Sequence, residues 1–158
     1  MKLEQTNRII IKIGSALLFN ETSGSLNKEW LNSLAEDVKY LRENDKEVII
    51  VSSGAIAMGA KDLDLDMKNM KMDMNQAVSA VGQIHLMGSF KSAFEKNEIK
   101  ISQILLTLDD TEQRRRSINA RRTIDTLLKL GIVPVVNEND TIATSEIRYG
   151  DNDRLASR

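Results

Sequence analysis

A chain of 158 residues, 41% hydrophobic and 28% charged with a single proline, is long enough for one core and excludes a disordered or collagen-like polypeptide. The absence of cysteine removes disulfides, thiolate zinc sites and cysteine nucleophiles together, and a formal net charge of −1 gives no whole-chain attraction for nucleic acid. No apolar run approaches the roughly 18 residues of a membrane span and the N-terminus lacks a signal-peptide layout, so the expectation is a cytoplasmic protein with no nucleic-acid or membrane partner.

The first element is a strand, Arg8 to Ile13, rich in β-branched residues. A polar loop, Asn20 to Ser25, leads to Asn27, a candidate N-cap. Trp30, Leu31, Leu34, Val38 and Leu41 then recur at steps of three and four, which predicts a helix with one apolar face through about Glu43. Glu47 to Ser52 reads as the second strand. Ser53-Gly54-Ala55 turns it into another helix that ends before the Asp62 to Met74 segment, and a long helix follows from about Asn75 to Asn97. Ile99 to Thr107 is the third strand. Ser117 to Leu130 is a helix stopped by Gly131 at the C′ position, and Ile132 to Val136 is the fourth strand. Proline cannot donate to a sheet ladder, so Pro134 predicts that this strand is either an edge or begins there. Strands alternating with helices give an α/β fold with a mainly parallel sheet, in one domain without repeats or linkers.

Polar and small residues gather where the predicted strands end, which is where open parallel sheets bind ligands. After the first strand come Gly14 and Ser15, preceded by Lys12. Glycine lets a backbone approach phosphate, serine adds a hydroxyl and an N–H, and lysine supplies a point charge. Lys12 could equally be a solvent-facing strand residue. At the second strand end, Ser52-Ser53-Gly54-Ala55 opens a helix whose free N–H groups attract a carboxylate or phosphate; an ordinary N-cap is the competing explanation. The fourth strand runs into Asn137-Glu138-Asn139-Asp140, and a second cluster follows at Gly150-Asp151-Asn152-Asp153. Turn formation competes for the first of these, because Asn and Asp favour turns.

These segments, Lys12 to Ser15, Ser52 to Ile56, Ala80-Val-Gly-Gln83, Val136 to Asp140 and Glu146 to Asp153, resemble in order and spacing the glutamate 5-kinase family of the amino acid kinase superfamily. The resemblance covers nearly the whole chain, and the pairing of NEND with GDND is its most specific part. It implies a three-layer sandwich and transfer of the ATP γ-phosphate, with Mg2+ bound to the ATP, to the side-chain carboxylate of L-glutamate, the first step of proline biosynthesis. Carried over position by position, it puts Ser53, Asp140 and Asn152 on glutamate and Lys12 on the phosphates, with Asp153 orienting the lysine, so that Lys12 and Asp153 are the catalytic pair. By their own chemistry the Gly54 and Ala55 N–H groups suit a substrate carboxylate, and Gly14 and Ser15 suit the phosphates. It further implies a homo-oligomer inhibited by L-proline. Family members continue past the GDND segment into a nucleotide-binding part and often an RNA-binding PUA domain. Residues 1–158 therefore read as the substrate-binding part of the kinase domain, or alternatively as a non-catalytic glutamate- or proline-binding module derived from it.

Three other features carry simpler readings. His85, the single histidine, lies in the long helix and is expected to be structural. Met67, Met70, Met72 and Met74 suit ordinary amphipathic packing, a flap or a subunit contact. Arg114, Arg115, Arg116, Arg121 and Arg122 read first as a solvated helix face.

Overall fold

The computed structural model of the chain describes residues 5–20, 25–142 and 151–157. Four parallel strands, β1 (Arg8–Lys12), β2 (Glu47–Val51), β3 (Ile101–Leu106) and β4 (Val133–Glu138), form one sheet in the order β1-β2-β4-β3. Between them run α1 (Ser15–Leu18), α2 (Lys28–Glu43), α3 (Ala55–Asp62), α4 (Met72–Glu95), α5 (Leu108–Glu112) and α6 (Arg114–Lys129), and α7 (Asp151–Ala156) follows the last strand.

The alternation of side chains along the central strands decides which helix covers which face. Val48 and Ile50 of β2 and Val133 and Val135 of β4 point to one side, where Leu31, Leu34 and Val38 of α2 meet Leu86, Phe90 and Phe94 of α4. Ile49, Val51 and Val136 point to the other, against Ile124 and Leu128 of α6 and Leu155 of α7. Strands buried on both faces carry continuous apolar runs, which is why EVIIV and VPVV show no polar alternation. The result is a three-layer α/β/α sandwich.

Pro134 lies in an inner strand, so the edge alternative is overturned. The Val133 N–H bonds Lys100 O on the β3 side at 2.9 Å, and Val136 O accepts from Ser52 N on the β2 side at 2.8 Å. Backbone direction alternates along a strand, so the missing N–H of Pro134 faces β2. The β2–β4 ladder there starts only at Ile50 and Val135, and no ladder bond is lost. The fourth strand also runs further than its apolar run, through Asn137 and Glu138, both buried.

Helix ends follow local chemistry. Asn27 caps α2 by accepting from Trp30 N at 3.2 Å. Gly131, at φ 72°, closes α6: its own N–H goes to Leu128 O and that of Ile132 to Leu127 O, both at 2.9 Å, the paired bonds of a Schellman stop. Two of the long helices start three residues earlier than their sequence patterns mark, α4 at Met72 and α6 at Arg114. The short helices α1 and α5 have no periodic apolar signal of their own.

Candidate functional site

The carboxyl ends of β1, β2 and β4 lie on one edge of the sheet, and α7 packs against all three strands. Lys12, the last residue of β1, pairs with Asp153 of α7, Nζ to Oδ1 at 2.7 Å. The ammonium lies beside Gly14, where an added Cβ would stand 3.8 Å from Nζ. Both charged groups remain substantially exposed, 35% and 60%, so the pair is open to a further anion and adds little to stability.

At the end of β2, Asn152 Nδ2 donates to Ser53 Oγ at 3.0 Å. Ser53 thereby keeps its own hydroxyl proton to give elsewhere, while Asn152 Oδ1 is buried without a partner among the described residues. Gly54 is the N-cap of α3 at φ 101°, a left-handed conformation that glycine adopts without strain, and among the described residues no side chain caps the helix. The first turn of α3 is locked onto α4 by a glycine contact. A Cβ on Gly59 would fall 1.9 Å from Val78 O, and one on Gly82 would fall 1.8 Å from Ala55 O. No side chain larger than hydrogen fits either place.

This contact aligns a polar strip of α4 with the end of β4. Ser79 Oγ donates to Asp140 Oδ2 at 2.9 Å, and one helical turn later Gln83 Oε1 accepts from Asn137 Nδ2 at 2.8 Å. All four residues are buried, Asp140 at 8% exposure. A hydrogen bond to a buried charged group contributes about 1.5–3 kcal/mol, enough to fix the carboxylate of Asp140 in place. Ser79 and Gln83 had no assigned role in the sequence. Their signal was there: they occupy the same helical face as Leu86 and Phe90, and polar residues at core positions of an apolar helix need partners.

Among the candidate residues, Lys12 thus meets Asp153 and Ser53 meets Asn152, while Asp140 is held from the α4 side. Residues 146–150 of the second acidic segment lie outside the described residues. A concavity of about 700 Å³ opens at the opposite end of the sheet, around Ile99, Ile101 and Ile132. None of the candidate residues line it, and the convergent polar groups at the strand ends mark the better site. Among the described residues, no group of three His, Asp or Glu side chains could cage a metal.

The remaining features lie at the surface. His85 is half exposed, with Nε2 3.2 Å from Asp62 Oδ2. Met67, Met72 and Met74 are exposed. All five arginines of α6 are exposed, and Arg116 pairs with Asp110 at 3.0 Å. Asp110 sits in a capping box with Thr107. Hydrogen bonds from the Thr107 N–H and hydroxyl, helped by Arg116, hold its carboxyl below the usual 3.8. Among the described residues no helix is long and apolar enough to cross a membrane.

Residues 7–158 match the amino acid kinase family. The chain belongs to that family. Among its relatives in the amino acid kinase family, the glutamate 5-kinase of Pelagibacter ubique (strain HTCC1062) is 60% identical over 158 residues, covering 100% of this chain and 43% of that protein. Glutamate 5-kinase 1 of Mesorhizobium japonicum is 56% identical over 156 residues, 99% of this chain and 41% of that protein. The chain spans about two fifths of the length of these relatives. Among solved structures, the product complex of T. acidophilum isopentenyl phosphate kinase superposes with a TM-score of 0.56 at 15% identity, over 83% of this chain and 54% of that one. That likeness carries the amino acid kinase fold.

Proposed function

We propose that this chain is the substrate-holding part of a glutamate 5-kinase, in which ATP phosphorylates the side-chain carboxylate of L-glutamate to glutamyl 5-phosphate in the first step of proline biosynthesis. The observation that carries the reading is the convergence of the Lys12–Asp153 and Ser53–Asn152 pairs on one edge of the sheet. The names of relatives at 60% and 56% identity support it.

The chemistry fits the residues present. A glutamate side chain has an unperturbed pKa of about 4.3 and is already ionised at neutral pH, so the nucleophile needs no general base. The demand is for positioning and for positive charge on the phosphoryl oxygens. Lys12, the Gly14 backbone and Ser15 would hold ATP phosphates, and Mg2+ arriving with them would supply further charge neutralisation. Asp153 acts as the positioning group that aims Lys12. Asp140 accepts from the substrate ammonium, and the Ser53 hydroxyl with the Gly54 and Ala55 N–H groups donates to carboxylate. Asn152 acts on that carboxylate through Ser53 and by its second N–H. A cytoplasmic location, a homo-oligomeric state and inhibition by L-proline belong to the same proposal.

Joining this chain to the remaining length of the Pelagibacter relative allows a rate test. Lys12→Ala should lower kcat by roughly 10²-fold or more, the scale of removing a transition-state charge partner, while the KM for glutamate changes little. Equal losses in kcat and in glutamate affinity would make Lys12 a substrate-binding group instead.

A further inference from the structure

Gln83 has a donor with no acceptor. Its Oε1 is occupied by Asn137 Nδ2 at 2.8 Å, which leaves Nε2 with its N–H groups, and that nitrogen is closed off from solvent without a hydrogen-bond partner among the described residues. The side chain as a whole is 8% exposed. Leaving a buried donor unmade is unfavourable, and that cost is recovered when an acceptor is delivered to it.

The surroundings define the acceptor. One turn earlier on the same helix, Ser79 fixes Asp140, a carboxylate suited to an ammonium group. The neighbouring Gly82 brings Ala55 and Gly59 of α3 into contact with α4, and among the described residues no side chain caps the N-terminus of α3. That terminus favours an anion. Asp140, held by Ser79, accepts from an ammonium, and the free Gln83 donor one helical turn away suits a carboxylate; that spacing fits the two groups that an α-amino acid carries on a single carbon.

We propose that Gln83 donates through Nε2 to the α-carboxylate of the amino acid substrate and is a specificity-determining residue of the site. The proposal rests on the glutamate reading above. The reacting side-chain carboxylate, which must reach the phosphoryl group beside Lys12, is left to Ser53 and the start of α3. Gln83 therefore separates L-glutamate from 4-aminobutyrate, which keeps the amine and the distal carboxylate but lacks the α-carboxylate.

The test is a chemical-shift titration of this chain with each compound. Gln83→Met, of similar length and helix propensity, should weaken L-glutamate by about tenfold or more, the loss expected for a hydrogen bond to a charged group, and leave 4-aminobutyrate within about twofold. Gln83→Glu keeps an acceptor for Asn137 and should weaken L-glutamate further by like-charge repulsion, again sparing 4-aminobutyrate. It also carries the test if Gln83→Met fails to fold. Equal weakening of both ligands in a natively folded variant would make Gln83 a mere support for Asn137 and overturn the assignment, as would unchanged glutamate affinity. Absence of glutamate binding by the unaltered chain would overturn the glutamate reading itself.

Discussion

Lys12 and Asp153 come from opposite ends of the chain and meet at 2.7 Å, and Ser53 meets Asn152 at 3.0 Å. Each pair leaves a group free for a ligand: the exposed ammonium of Lys12, and the hydroxyl proton of Ser53. Asp140 works differently, because it is buried and already accepts from Ser79. Asp140→Asn removes the charge that would face the substrate ammonium, and L-glutamate affinity should fall more than about tenfold while the fold survives. Equilibrium dialysis with labelled glutamate checks this, and unchanged affinity would take Asp140 out of the site. The candidate residues themselves were legible in the sequence because glycine, serine and acidic residues follow apolar runs. For Ser79 and Gln83 the helical pattern shows only that two polar side chains on a buried face need partners; that these are Asp140 and Asn137, at and just past the end of β4 and more than fifty residues away, is not legible in it.

At the scale of elements, the site depends on α3 and α4 touching backbone to backbone. Gly82→Ala would drive a Cβ to 1.8 Å from Ala55 O, and overpacking of this kind should destabilise the protein by about 1–3 kcal/mol. Gly88, on the same helix, has nothing within 4 Å of an added Cβ. Gly88→Ala should therefore stabilise by up to about 1 kcal/mol through helix propensity, and urea denaturation of both variants reads the contrast. The capping box of α5 gives a pH signature. Asp110 titrates below its ordinary 3.8 in the folded protein, so its stabilising contribution is complete above that value and fades as pH falls through the lowered one. Asp110→Asn should flatten the acid limb of the stability curve in that window, as seen by circular dichroism. Strand and helix types were readable from periodicity. The lengths of α4 and α6 were not, because their first turns are polar or methionine-rich, and α1 and α5 are too short to show a period.

At the scale of the molecule, parallel order follows from the alternation of strands and helices, and two-sided burial follows from the uninterrupted apolar runs of β2 and β4. Strand order did not follow. Pro134 argued for an edge or a strand start; β4 is an inner strand that begins one residue earlier, at Val133, and it is only the pairing with β2 that begins just after the proline. That order sets the ends of β1, β2 and β4 side by side, under α7, and so gathers polar groups from segments spread along the whole chain. The matching of one sheet edge to one small dicarboxylic amino acid is the central claim. Isothermal titration of this chain with L-glutamate tests it most directly. The account predicts saturable single-site binding that Ser53→Ala weakens and Asp140→Asn abolishes. No binding heat at millimolar glutamate, or equal affinity in all three proteins, would contradict it.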